Sequence, residues 1–273
     1  MSARDLCQLS GLARSSLYRK PQPDSEHARQ LRQAIVRAAL DHPAYGTRRT
    51  THQVRRQKLS VNRKRVQRVM REENLLRRSR RRVPQTTDSK HTLRRYEILT
   101  REFQPTGPNQ LWGSDISYVR LRNRFVYVAV VLDVFSRRVV GWAVGPNMKT
   151  GLPLAALQQA LSSRRPAPGW VHHSDQGSQY ASGAYVATLH KAGARISMSR
   201  KGRPRDNAHV ESFFKTLKTE EVECNEYESL VETQAEIGAY IEREYNRRRL
   251  HSSLGYRPPE EYERLLEEAA EAA

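Results

Sequence analysis

The chain has 273 residues, enough for one domain of ordinary size with a real core and one or two small modules beside it. Its 48 Lys and Arg against 29 Asp and Glu give a formal charge of +19, which points to a polyanionic partner, nucleic acid first. Cys7 and Cys224 form no CxxC pair, no apolar run approaches the roughly 18 residues of a membrane span, and MSARDLCQLS lacks the apolar core of a signal peptide. A disulfide framework, a cysteine-built zinc site and a membrane partner are therefore excluded, and a soluble cytoplasmic protein is expected.

The charge is uneven. Residues 1 to 100 hold 25 basic and 8 acidic side chains, and the remainder holds 23 and 21. A basic but merely soluble surface, or a ribosomal-type RNA binder, fits charge alone, so charge selects a partner class and not a reaction.

In chain order, residues 1–22 read as a short helical segment, a partial helix-turn-helix around Ser10 and Gly11 with Leu6, Leu9, Leu12 and Leu17 as its apolar positions. Residues 26–76 read as a helix-turn-helix DNA-binding domain, with helices over 28–40, 46–57 and 62–73. Asn62 can cap the last helix, and Val66, Val69 and Met70 share one face. Arg63, Lys64, Arg68 and Arg71 are left on the other face, where a helix in the major groove would present them to bases and phosphates. An ordinary solvated face explains any single one of them equally well. Arg48 and Arg49 join the candidate DNA contacts. Residues 77–105 form a basic linker whose Arg77 and Arg78 begin a run suited to tracking phosphates.

From residue 106 to 225 the pattern becomes that of an α/β core. WGSDISYVRL, RFVYVAVVLDVFS and RRVVGWAVG alternate as three hairpin-connected strands rich in β-branched and aromatic residues. Helix LPLAALQQALSS, strand GWVHHS, helix GAYVATLHKAG, strand ARISMS and helix NAHVESFFKTLKTEEV follow. Three antiparallel strands and then αβαβα predict a mixed five-stranded sheet with flanking helices, the RNase H-like order. Residues 226–273 read as a C-terminal helical extension, with one helix from about Tyr227 to Arg249.

Between Glu102 and Glu211 the acidic residues are only Asp115, Asp133, Asp175 and Asp206. Asp115 interrupts a strand, where aspartate is depleted and needs a reason. Asp175 follows a strand at its carboxyl end, where α/β sheets tend to bind ligands, although a turn aspartate before Gly177 is the bland alternative. Glu211 falls in the first turns of a helix that Asp206 is expected to cap. Carboxylates from a strand centre, a strand end and a helix can hold two hard cations such as Mg²⁺ for phosphodiester displacement. His172 and His173 fit packing or phosphate contact better than metal ligation, and Asn207 fits a loop-shaping role. Asp133 reads as a decoy that orients Ser136 or Arg137.

Asp175 and Glu211 are separated by 35 residues, which resembles the D,D(35)E signature of transposases and retroviral integrases. The ordered segments HPAYGTRRTTHQVRRQ, VNRKRVQRVMRE, WGSDISYV, VVLDVFSRRVVGWAV, HHSDQGSQY, RKGRPRDNAHVESFFKTLK and YNRRRLHSSLGYRPPEEY together resemble the catalytic chain of the insertion-sequence-three transposase family. The resemblance implies Asp115, Asp175 and Glu211 as catalytic metal ligands for Mg²⁺, with Mn²⁺ able to substitute. Lys215 and Lys218 would touch the transposon end, and Lys201, Arg203 and Arg249 complete the candidate DNA contacts. Double-stranded DNA, as transposon ends and target, is the implied partner, with self-association on DNA and an upstream-frame fusion partner of the kind many members use. Two departures stand out: there is no His-His-Cys-Cys zinc module, and RPR occupies 203 to 205. The alternatives are an end-binding regulator with an idle catalytic domain and a nuclease that cuts without joining.

Overall fold

The computed structural model describes residues 3–11, 25–76, 93–100, 103–122, 124–200 and 204–272. The chain divides into two compact units, Met1–Arg77 and Arg78–Ala273.

The first unit contains α1 (Ala3–Ser10), α2 (Glu26–Asp41), α3 (Thr47–Arg56) and α4 (Arg63–Glu72). Helix α1 stops at Gly11, which takes φ +66°, and the second helix expected in residues 1–22 lies outside the described residues. In α2, Leu31, Ile35, Ala38 and Ala39 repeat at helical spacing and are buried. They meet Val54 of α3 and Val66, Val69 and Met70 of α4 in one core. Ser25 caps α2 through the amide of Ala28, and Asn62 caps α4 through the amide of Arg65 at 2.9 Å. The guanidinium of Arg55 donates twice to the carbonyl of Val61, at 3.0 and 2.8 Å, tying the end of α3 to the approach to α4. The three-helix arrangement predicted for residues 26–76 is present.

The second unit is built on a five-stranded sheet in the order β3-β2-β1-β4-β5. Its strands are β1 (Leu111–Arg120), β2 (Phe125–Asp133), β3 (Val139–Gly145), β4 (Val171–Ser174) and β5 (Arg195–Met198). The first three pair antiparallel, and β4 and β5 join β1 in parallel. Helices α5 (Gly151–Arg164) and α6 (Gly183–Lys191) connect the later strands. Helices α7 (Ala208–Leu217), α8 (Leu230–Ala239) and α9 (Pro259–Glu271) follow.

Alternation along β2 supplies both faces of the sheet. Ala129 and Val131 pack with Leu157 and Ala160 of α5 and Tyr185 and Leu189 of α6. Val126, Val128, Val130 and Leu132 pack with Val210, Phe213, Phe214 and Leu217 of α7 and Ile237 of α8. Full burial of each Val, Leu, Ile or Phe among them contributes about 1.5–3 kcal/mol, so the two faces clamp the sheet between helical layers. Among the described residues no helix is long and apolar enough to cross a membrane.

The helical tail departs from the sequence expectation. The helix predicted from about Tyr227 to Arg249 is α8 followed by a wide π-helical turn at Tyr240–Tyr245, and α7 continues into a similar turn at Lys218–Val222. These two turns bring Tyr240 and Glu220 together, with a 3.0 Å bond from the phenol to the carboxylate.

Candidate active site

Strand register brings the two aspartates together. Gly113 of β1 stands beside His173 of β4, and two residues further along the same parallel pair come Asp115 and Asp175. Asp175, just past the end of β4, accepts the amide of Gly177 at 2.9 Å, which fixes its carboxylate in the turn. Asp115 is part-buried and accepts the amide of Ile116 at 2.8 Å.

Helix α7 delivers Glu211 to the same place because Gly113 has no side chain. A Cβ there would lie 2.7 Å from Val210 Cγ2, so only glycine lets the helix approach β1 this closely. Asn207, at the start of α7, donates from Nδ2 to the carbonyl of Ser114 at 3.0 Å and locks the approach. Glu211 follows Val210 directly, and its charge is among those that act on the Asp115 carboxyl.

The electrostatics record this convergence. Burial, then the negative charge of Asp175 and further that of Glu211, push the Asp115 carboxyl up to about 8, against the opposing pull of the Ile116 amide and Lys218. Burial also raises Glu211. Three carboxylates facing one region, with oxygen donors only, fit hard divalent cations by donor chemistry. Among the described residues no three acidic, histidine or cysteine side chains are gathered tightly enough to be a finished metal cluster.

Beneath them lies a neutral polar layer. His172 Nε2 is 2.9 Å from Ser114 Oγ and 3.0 Å from the Tyr185 hydroxyl, and burial, followed by the neighbouring His173, pushes its pKa down to about 3. His173 bonds Ser197 through Nδ1 at 2.8 Å and Ser199 through Nε2 at 2.9 Å, and burial takes it down to about 4. Burial thus favours the neutral form of both imidazoles. Tyr180, not singled out by sequence reasoning, is fully buried with its hydroxyl near Asp115 and Asp175, and its pKa is raised chiefly by burial. Its only sequence signal is its place in HHSDQGSQY.

Other predicted residues fall as follows. Asp133 is 0% exposed and accepts amides from Asn109, Phe135 and Ser136, which makes it the orienting residue expected of it. Asp206 does not cap α7: it accepts the backbone and guanidinium of Arg200, and Asn207 occupies the cap position. Lys215 is exposed one turn beyond Glu211, and Lys218 reaches back until its ammonium lies 4.6 Å from the Tyr118 ring centroid. Arg249 departs from its expected role as a DNA contact. It is 6% exposed, and its guanidinium grips Glu220 through Nε at 2.7 Å and Nη2 at 2.8 Å.

In the first unit Arg48, Arg63, Lys64 and Arg68 are exposed, and Arg49 lies over the Tyr45 ring at 5.4 Å. Arg77, Arg78, Lys201 and Arg203 lie outside the described residues.

Comparison with known proteins agrees with this layout. Integrase core domain models match residues 105–204 and 192–259, and an HTH-like domain model matches residues 26–83. The transposase for insertion sequence element IS904 of Lactococcus lactis is 36% identical over 250 residues, covering 91% of this chain and 99% of that relative. Transposase InsF for insertion sequence IS3A of Escherichia coli is also 36% identical, over 270 residues, covering 96% of this chain and 94% of that relative. An intasome of simian T-cell lymphotropic virus gives a TM-score of 0.49 at 16% identity, over 84% of this chain and 74% of the viral one. The sequence relatives, matched over nearly their whole length, carry the assignment: the chain belongs to the insertion-sequence-three family of DDE transposases.

Proposed function

We propose that Asp115, Asp175 and Glu211 are the catalytic carboxylates of this DNA transposase, and that they hold divalent cations, Mg²⁺ with Mn²⁺ able to substitute. The observation that supports this most is that the charges of two further acidic side chains, Asp175 and Glu211, act on the Asp115 carboxyl, whose raised pKa reflects burial and like charge. A pair of bound cations would activate the attacking oxygen and neutralise charge at the phosphodiester.

The chain's own part is positioning. Asp115 lies on β1 and Asp175 just past the end of the neighbouring β4, Asn207 and Gly113 hold α7 against β1, and Glu211 on α7 is the third carboxylate of this reading. In cutting, a water oxygen forms the new bond to phosphorus as the bond to the element's 3′ oxygen breaks, which leaves a 3′ hydroxyl. In joining, that hydroxyl displaces a 3′ oxygen of target DNA in the same way, so phosphodiester bonds are conserved and no covalent enzyme intermediate is required. Lys215 and Lys218 meet the element end, and the first unit, with Arg48, Arg49, Arg63, Lys64 and Arg68, binds duplex DNA through phosphates and the major groove. Pairing two element ends calls for a dimer or larger assembly on DNA, and the protein acts in the cytoplasm at the nucleoid.

The test is to incubate the chain with labelled element-end DNA and Mg²⁺, comparing wild type with Glu211→Gln. Nicked and joined products that vanish in the variant support the triad. Undiminished joining by Glu211→Gln overturns it, and nicking without joining by wild type favours the nuclease reading.

A further inference from the structure

The β1–β2 hairpin carries a surface that the carboxylate site does not use. Tyr118 near the end of β1 and Phe125 at the start of β2 are 37% and 50% exposed, whereas the remaining large apolar side chains of these two strands feed the two cores. They are diagonal neighbours, since Tyr118 pairs with Tyr127 and Phe125 with Arg120, and their rings meet edge to face with centroids 5.4 Å apart. Lys218 adds its ammonium against Tyr118, linking the patch to the helix that carries Glu211. Arg120, which pairs with Phe125, and Arg122 and Arg124 in the same hairpin are all exposed. No acidic residue interrupts the sequence between Asp115 and Asp133, so the hairpin is positive throughout.

Open aromatic rings and cations on one ribbon suit an occupant that offers flat apolar faces and phosphates together. Unpaired nucleotides do so, because their bases are free to stack while the backbone meets the arginines. An intact duplex offers phosphates but keeps its base faces inside. Tyr118 lies three residues beyond Asp115, about 10 Å at strand rise and on the other face of the strand, and Lys218 joins the two places, since it meets the Tyr118 ring and its charge also acts on the Asp115 carboxyl.

We propose that the β1–β2 hairpin is a stacking platform for unpaired nucleotides of the DNA strand leaving the carboxylate site. Phe125 and Tyr118 stack bases, and Arg120, Arg122 and Arg124 hold the flanking phosphates. The proposal rests on the DNA-joining reading above, and its test separates the two.

The full chain is mixed in EDTA, so that no chemistry intervenes, with a short blunt duplex or with the same duplex bearing an unpaired extension that contains 2-aminopurine. Wild type is expected to prefer the extended DNA by about fivefold or more per stacked base, with quenched 2-aminopurine fluorescence. Phe125→Ala and Tyr118→Ala are expected to lose the preference and the quenching while binding the blunt duplex as wild type does. Phe125→Trp is expected to keep both. A preference that survives in the two alanine variants overturns the proposal. So does unquenched fluorescence in the wild-type complex, a result that needs no variant to fold. Blunt duplex bound without any preference overturns the hairpin proposal alone, whereas failure to bind any DNA overturns the underlying reading as well.

Discussion

Asp133 at the end of β2 and Asp115 on β1 are both aspartates withdrawn from water, yet their surroundings differ. Asp133 receives three backbone amides, from Asn109, Phe135 and Ser136, and is completely enclosed. Asp115 receives one amide and faces two further acidic side chains. Burial raises both carboxyls, but in Asp133 the next influences are amides that stabilise the anion, and in Asp115 the next is the charge of Asp175. A carboxylate that serves the fold is satisfied by the backbone. On the proposed reading, one that serves chemistry keeps like charges beside it, which a proton or a bound cation relieves.

The largest stability effect is expected away from both aspartates, at the predicted DNA contact that folds inward. Arg249→Ala takes away the guanidinium that neutralises the largely buried Glu220, and should cost about 3–5 kcal/mol in urea denaturation. A loss confined to DNA affinity, with stability unchanged, would restore Arg249 to the DNA surface. Next comes Asp133→Asn, which weakens three amide bonds and turns an amide group toward donors. It should destabilise the protein by about 2–4 kcal/mol by the same measurement.

The smallest effect has the opposite sign and sharpens the comparison most. The Asp115 carboxyl titrates near 8 in the folded protein against an ordinary 3.8, so the unfolded chain releases this proton first. Wild-type stability therefore falls as pH rises from about 4 to about 8, and the difference levels off above that. Asp115→Asn removes this loss and should gain on the order of 1–3 kcal/mol by pH 8 in thermal melts without divalent cations. A difference that does not change across that window would mean that Asp115 titrates as an ordinary carboxylate.

Much of this arrangement was legible in the sequence because it rests on local rules. An aspartate inside a β-branched run, another at a strand's end and a glutamate in the first turns of an amphipathic helix marked the three carboxylates, and the cap at Asn62 fixed the start of α4. What escaped depends on contacts distant in sequence. The π-helical turns at Lys218–Val222 and Tyr240–Tyr245 continue an apolar period that suits an ordinary helix equally well. Helix α9 was left unassigned although Pro259 is a good first helical residue. Its buried anchor is Glu263, 3% exposed and bonded to Arg138 and Arg164, which no apolar periodicity would place inside. The inward turn of Arg249 escaped for the same reason, since its partner Glu220 lies 29 residues away, whereas Asp206 is drawn from the cap position by Arg200, six residues before it in a loop without a periodic signal.

The most direct test sets the two aspartates against each other in the reaction itself. Strand joining with labelled element-end DNA and Mg²⁺ is measured for wild type, Asp115→Asn and Asp133→Asn, below the melting temperature of the least stable protein. Joining should fall by about a thousandfold or more in Asp115→Asn and persist in Asp133→Asn. Joining retained by Asp115→Asn, or lost equally in both variants, would contradict the assignment of the carboxylate site.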